Sequence, residues 1–171
     1  MVSQRSAPSA ALAATVVGGL AAGALDIASA FVLAETQGGS AFRVLLAIAS
    51  GVLGRDAFAG GTATAVLGLA LHFFITLVAA ALYVGASWRL PALAREPWRY
   101  GALYGVAVWV FMHAIVLPLS AVPFRMPFSA GGVATQLAIH VVFVGWPIAL
   151  AARRWAGVAS AAAPAAVLAP R

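Results

Sequence analysis

Three histidines and one aspartate are the residues of this chain whose chemistry and placement point to the same place. His72 lies in "LGLALHFFITLVAAALY", His113 in "VWVFMHAIVLPL" and His140 in "LAIHVVFVGWP", while Asp26 follows "GGLAAGAL". Each stretch is apolar enough to sit in a bilayer. An ionisable side chain near the bilayer centre costs about 2.5–3.5 kcal/mol on insertion scales unless it is paired or wetted, so such residues are functional candidates. Imidazole is the mild case, because it can enter neutral and take a proton when a carboxylate is close.

Three kinds of chemistry are open to this set. The imidazoles can be structural, hydrogen-bonding between helices to backbone, Thr76 or Gln136, with a worth of about 0.6 kcal/mol per bond. They can handle protons or small ions, with His72, His113, His140 and Asp26 forming a relay or binding point. They can hold a cofactor: three His and one Asp satisfy tetrahedral Zn²⁺, and two His on facing helices ligate a b-type haem. Helical metal pairs commonly carry His and acid three or four residues apart on one helix, and this chain has no such pair.

Catalysis is not expected. Ser120 and Ser129 fall near helix ends without a base in a recognisable motif. "GGTATAVLG" (60–68) lacks the lysine of a phosphate loop and opens an apolar run. The chain has no cysteine, which removes thiolate metal sites and disulfides, and no lysine, which removes Schiff-base chemistry.

The elements that must position these residues follow from composition. Hydrophobic residues make up 64% of the 171 and charged residues 8%, and the mean hydropathy is +1.02. Soluble domains carry about 25% charged residues. The chain therefore reads as an all-α polytopic membrane protein, with the lipid bilayer as its main partner. Four stretches have the length and apolarity of spanning helices: about 10–33, 61–85, 100–121 and 132–152. They form one transmembrane domain over 1–154, followed by a low-complexity Ala and Pro tail over 155–171 that is expected to be disordered. Between the first two spans, Val44 to Gly54 is too short to cross and reads as an interfacial or re-entrant helix; a fifth span there would move the C-terminus to the other face. Arg5, the apolar stretch after it and "ASA" at 28–30 imitate a secretory signal, but Asp26 sits awkwardly in that role and a retained first span is the better reading.

The formal net charge of +6 comes from arginines at the ends of apolar runs, and nothing basic and aromatic is arranged for nucleic acid. Arg5, Arg89, Arg95, Arg99, Arg153, Arg154 and Arg171 fall on one side, and Arg43, Arg55 and Arg125 on the other. The positive-inside rule then places both termini in the cytoplasm. Trp88, Trp98, Tyr100 and Trp155 fall at that same level, as an aromatic belt does.

Depth and facing bring the ionisable residues together. At 1.5 Å per residue from the cytoplasmic ends, Asp26 comes out at ~24 Å, His72 and His113 at ~20 Å and His140 at ~18 Å. Gly61, Ala65, Gly68, Thr76, Ala79 and Tyr83 stack with His72 on one small and polar stripe that faces other helices, while Phe73, Phe74 and Leu77 point elsewhere. Gly19 and Gly23 make a GxxxG pair on the face of Asp26, Gly101 and Gly105 make another in the third span, and Gln136 lies one turn before His140. Pro147 predicts a kink in the fourth span.

The stretch from "LHFFITLVAAALY" through "WRYGALYGVAVWVFMHAIVLPLSAVPF" to "QLAIHVVFVGWPIALAARR" resembles the YagU-like small bacterial inner-membrane proteins. His72, His113 with Pro118, and His140 with Arg153 and Arg154 carry the resemblance over roughly 65–154; Asp26 has no counterpart in it. The resemblance implies a multi-pass protein of the bacterial inner membrane, for which it supplies no reaction. A homo-oligomer is compatible with the sequence, which selects no face for it.

Overall fold

A computed structural model describes residues 7–124 and 129–161. The chain is helical throughout, with no strand among the described residues. Helix α1 covers Ala7–Thr36, α2 Ala41–Leu53, α3 Gly61–Arg89 and the short α4 Ala92–Arg95. Helix α5 covers Pro97–Leu119 and α6 covers 130–161. Four of these, α1, α3, α5 and α6, are long and apolar enough to cross a membrane. Arg5, Arg125 and the residues after 161 lie outside the described residues. Within them α6 runs past Arg154 to Ala161, so the tail expected to be disordered from 155 begins as helix, in keeping with the high helix propensity of its alanines.

The ends of these helices are set by local chemistry. Ser40 opens α2, its hydroxyl accepting from the Arg43 N–H at 3.3 Å, and Ser129 opens α6 by accepting from the Gly132 N–H at 3.0 Å. Gly54 closes α2 at φ +61°, a conformation costly for any residue with a Cβ. Two turns of 3₁₀ helix, Gly54–Ala59, then lead into α3.

Small residues decide how the helices pack. The core holds Ala14, Ala22, Ala80, Ala149 and Ala152 with Tyr83, Val84, Val144 and Ile148. Helix α1 packs along both α3 and α6, α5 packs along α6, and α2 packs against α3. At the crossings, glycine lets backbones meet. A Cβ on Gly19 would stand 2.9 Å from Leu77 Cα, one on Gly23 would meet the Thr76 hydroxyl at 2.7 Å, and one on Gly105 would meet Val141 Cα at 2.7 Å. Both GxxxG pairs are thus contact surfaces. Phe73 and Leu77, expected to point away, also meet α1 at Gly23 and Gly19; Phe74 alone of the three is largely exposed. A stripe of small residues on α1 admits large side chains from α3 as well as small ones.

Helices α5 and α6 each widen once. Over Met112–Val116 and again over His140–Gly145 the ladder shifts to i→i+5 bonds, with Leu117 N–H donating to the Met112 carbonyl and Trp146 N–H to that of Val141. Each π-turn ends two residues before a proline, Pro118 or Pro147. Proline supplies no N–H, and its ring crowds the carbonyl four residues back, so the preceding turn opens to relieve it. His113 lies in the first π-turn and His140 begins the second.

Candidate functional site

The four ionisable residues sit on four different elements. Asp26 is on α1, His72 on α3, His113 in the α5 π-turn and His140 at the start of the α6 π-turn. All four are partly buried.

His72 is held by α1. Its Nε2–H donates to the Gly23 carbonyl at 2.9 Å, a contact permitted because Gly23 has no side chain in the way. A carbonyl only accepts, so Nε2 carries the proton, and in the neutral ring Nδ1 keeps the lone pair. The Asp26 carboxylate lies one turn along the same helix, with Oδ2 4.0 Å from His72 Nε2 and side-chain exposures of 19% for Asp26 and 12% for His72. An imidazolium at His72 therefore has its counter-ion in place across the α1–α3 contact. The Asp26 main-chain carbonyl accepts from the Ser29 hydroxyl at 2.7 Å.

The other two imidazoles are held by their own helices. His113 Nδ1 donates to the Trp109 carbonyl, and His140 Nδ1 to the Gln136 carbonyl, each at 2.9 Å. These bonds fix Nδ1 as the protonated nitrogen and make Nε2 the proton acceptor in the neutral ring.

Of the partners expected, backbone, Thr76 or Gln136, it is the backbone that bonds the imidazoles. Thr76 donates to its own helix at the Phe73 carbonyl, 3.1 Å away, and Gln136 serves His140 through its main chain. Both residues border the site without bonding an imidazole through their side chains.

Trp109 lies one turn before His113 on α5. It stacks on that ring at 4.3 Å and 28°, and its indole N–H is buried with no hydrogen-bond partner among the described residues. The four-residue spacing on one helix is the signal for the contact; the orphaned N–H has none in sequence.

A metal site on His72, His113 and His140, one of the three chemistries open to this set, has no ligand group to support it among the described residues. No three His, Asp or Glu side chains come together as ligands among the described residues. The reason is that His113 and His140 are drawn back onto their own helices by their Nδ1 bonds, while His72 turns to α1. A haem between α5 and α6 does not fit either. Those helices touch backbone to backbone where Gly105 meets His140 and Val141, which leaves no slot for a macrocycle.

The serines considered as nucleophiles have structural partners. Ser120 donates to the Leu117 carbonyl at 2.7 Å and Ser129 caps α6.

No protein-family profile, characterised protein or solved structure matches this chain.

Proposed function

We propose that this chain is a multi-pass protein of the bacterial inner membrane, with a four-helix bundle across the bilayer, whose Asp26 and His72 form a proton-exchanging pair in its outer half. The observation that carries this reading is the 4.0 Å approach of the Asp26 carboxylate to His72 Nε2 between two helices that could each span the bilayer. Packing alone has no use for a carboxylate there, whereas a site that alternates between neutral and protonated imidazole needs one as counter-ion. One nitrogen of His72 is committed to the Gly23 carbonyl, and its Nδ1 takes and returns the proton. His140 and His113 are the next groups a proton can visit.

The resemblance to the YagU-like proteins supports the compartment. The arginine distribution supports cytoplasmic termini. Helix α2, about 20 Å long at 1.5 Å per residue, is too short for a core of about 30 Å and is read as re-entrant on the outer side. There it leans on Gly68 of α3 and is tied to the end of α5 by the Ala121 N–H bond to the Gly51 carbonyl, 2.9 Å.

A purely structural role is the second reading, favoured by the fact that all three imidazoles bond main-chain carbonyls. Reconstitution in liposomes under a pH gradient separates the two. Proton handling predicts that wild type dissipates the gradient and that His72→Gln, whose Nε2 can still reach the Gly23 carbonyl, does not. Equal rates for wild type, His72→Gln and empty liposomes would sink proton handling and leave the structural role.

A further inference from the structure

The face between α3 and α5 is open. These two helices do not pack along each other; both lean on α6, and Tyr104 bridges the gap by donating to the Ala79 carbonyl at 2.7 Å. Along that bridge, with Ala79 and Tyr104 in its wall, runs a groove of about 400 Å³, lined also by Phe74, Val78, Leu82, Ala107 and Phe111. Its volume falls within the ~300–1,000 Å³ of ligand sites, and its lining offers an occupant little to hydrogen-bond. What fits it is a hydrocarbon chain.

The stripe of α3 that lines the groove continues to an arginine; Arg99, at the start of α5, is paired with Glu96 at 3.6 Å. Ile75, Val78, Leu82 and Arg89 fall on one stripe of α3 at spacings of three, four and seven residues, so Arg89 stands about 10 Å beyond Leu82 on the groove face. Arg89 ends α3, is exposed and has no acidic partner among the described residues. Tyr100 stands at the matching level of α5, one turn before Tyr104, with the Arg99 guanidinium 5.5 Å from its ring centre. An apolar cleft with an arginine at its headgroup end is how basic sites between membrane helices take anionic lipids. The same charge argues against a second copy in the groove. A two-fold contact through this face would bring two Arg89 side chains to the same end without counter-charge.

We infer that the α3–α5 groove binds one anionic phospholipid, an acyl chain lying against Val78, Leu82 and Ala107 and its phosphate met by Arg89. Guanidinium suits that role because it offers a planar pair of N–H donors to phosphate oxygens. This inference is independent of the proton-exchanging pair.

The test is a lipid titration of the detergent-purified full chain with phosphatidylglycerol and with phosphatidylcholine, read by native mass spectrometry as lipid retained. Wild type is expected to hold phosphatidylglycerol about fivefold more tightly, the effect of one arginine near a headgroup. Arg89→Gln, at an exposed helix end where folding does not depend on it, is expected to lose that preference, and Ala107→Phe to lose retention of both lipids by filling the cleft. Equal retention of the two lipids by wild type, or an unchanged preference in Arg89→Gln, would overturn the inference. So would efficient disulfide cross-linking between two copies carrying Val78→Cys in a chain that otherwise has no cysteine, since that would put a second copy in the groove.

Discussion

At the scale of single residues, each imidazole gives one nitrogen to a main-chain carbonyl, and the choice of nitrogen differs between sites. ¹⁵N spectra of the bilayer-reconstituted protein at alkaline pH, where the rings are neutral, are expected to show His72 protonated on Nε2 and His113 and His140 on Nδ1. The reverse assignment at His72 would remove its bond to Gly23. Losing one such bond costs little in a membrane, so His140→Ala is expected to lower stability by about 0.6 kcal/mol in a denaturation titration. A loss of several kcal/mol would mean that His140 supports far more of the packing than its bond to Gln136. The sequence made legible that these residues sit on four separate apolar helices, because run length alone assigns them. It also made His72 legible as facing other helices, through its stripe of small neighbours. It did not show the acceptors, since a main-chain carbonyl such as that of Gly23 is the same in every residue and only the approach of another helix selects it. Of the expected partners, backbone, Thr76 or Gln136, the backbone is therefore the one that only the structure could single out.

At the scale of helices, glycine and proline carry the design. Gly105 meets Val141 where α5 crosses α6, whereas Gly85 on α3 has open space around its would-be Cβ. Gly105→Val is therefore expected to cost about 1–3 kcal/mol or more through forced separation of the helices. Gly85→Ala is expected to stabilise by up to about 1 kcal/mol through helix propensity alone. Comparable melting temperatures for the two variants would contradict the packing described. The kink expected at Pro147 takes the form of a π-turn, and Pro118 produces a second one. Proline is plain in a sequence, but whether the chain answers it by bending, breaking or widening depends on which neighbours can absorb the freed carbonyls. Here the ladder answers by shifting to i→i+5 bonds, Leu117 N–H to Met112 and Trp146 N–H to Val141. Such π-turns recur at functional sites. Pro147→Ala restores a donor to the Phe143 carbonyl and is expected to return this turn to α geometry, seen as a changed Nδ1 signal for His140. An unchanged signal would mean that something other than the proline widens the helix.

At the scale of the whole molecule, composition and run length made the four apolar helices legible almost to their ends, because hydropathy is a property of sequence alone. How they neighbour one another was less legible. Nothing in the chain announces that α1 packs on both α3 and α6 while α3 and α5 stay apart. Orientation rests on the arginines, and a reporter fused to the C-terminus is expected in the cytoplasm; its appearance outside would overturn the four-span topology. Of the two carboxylates in its spanning helices, Glu35 lies in the last turn of α1, and Asp26, well inside that helix, has its histidine opposite.

Asp26 is the residue that separates a proton-handling protein from a packed one, because its side chain meets His72 while only its main chain serves the fold. The decisive measurement is proton flux through liposomes containing wild type or Asp26→Asn, with the melting temperature of both. A proton-exchanging pair predicts that Asp26→Asn loses the flux and keeps the stability. Undiminished flux in Asp26→Asn would contradict it.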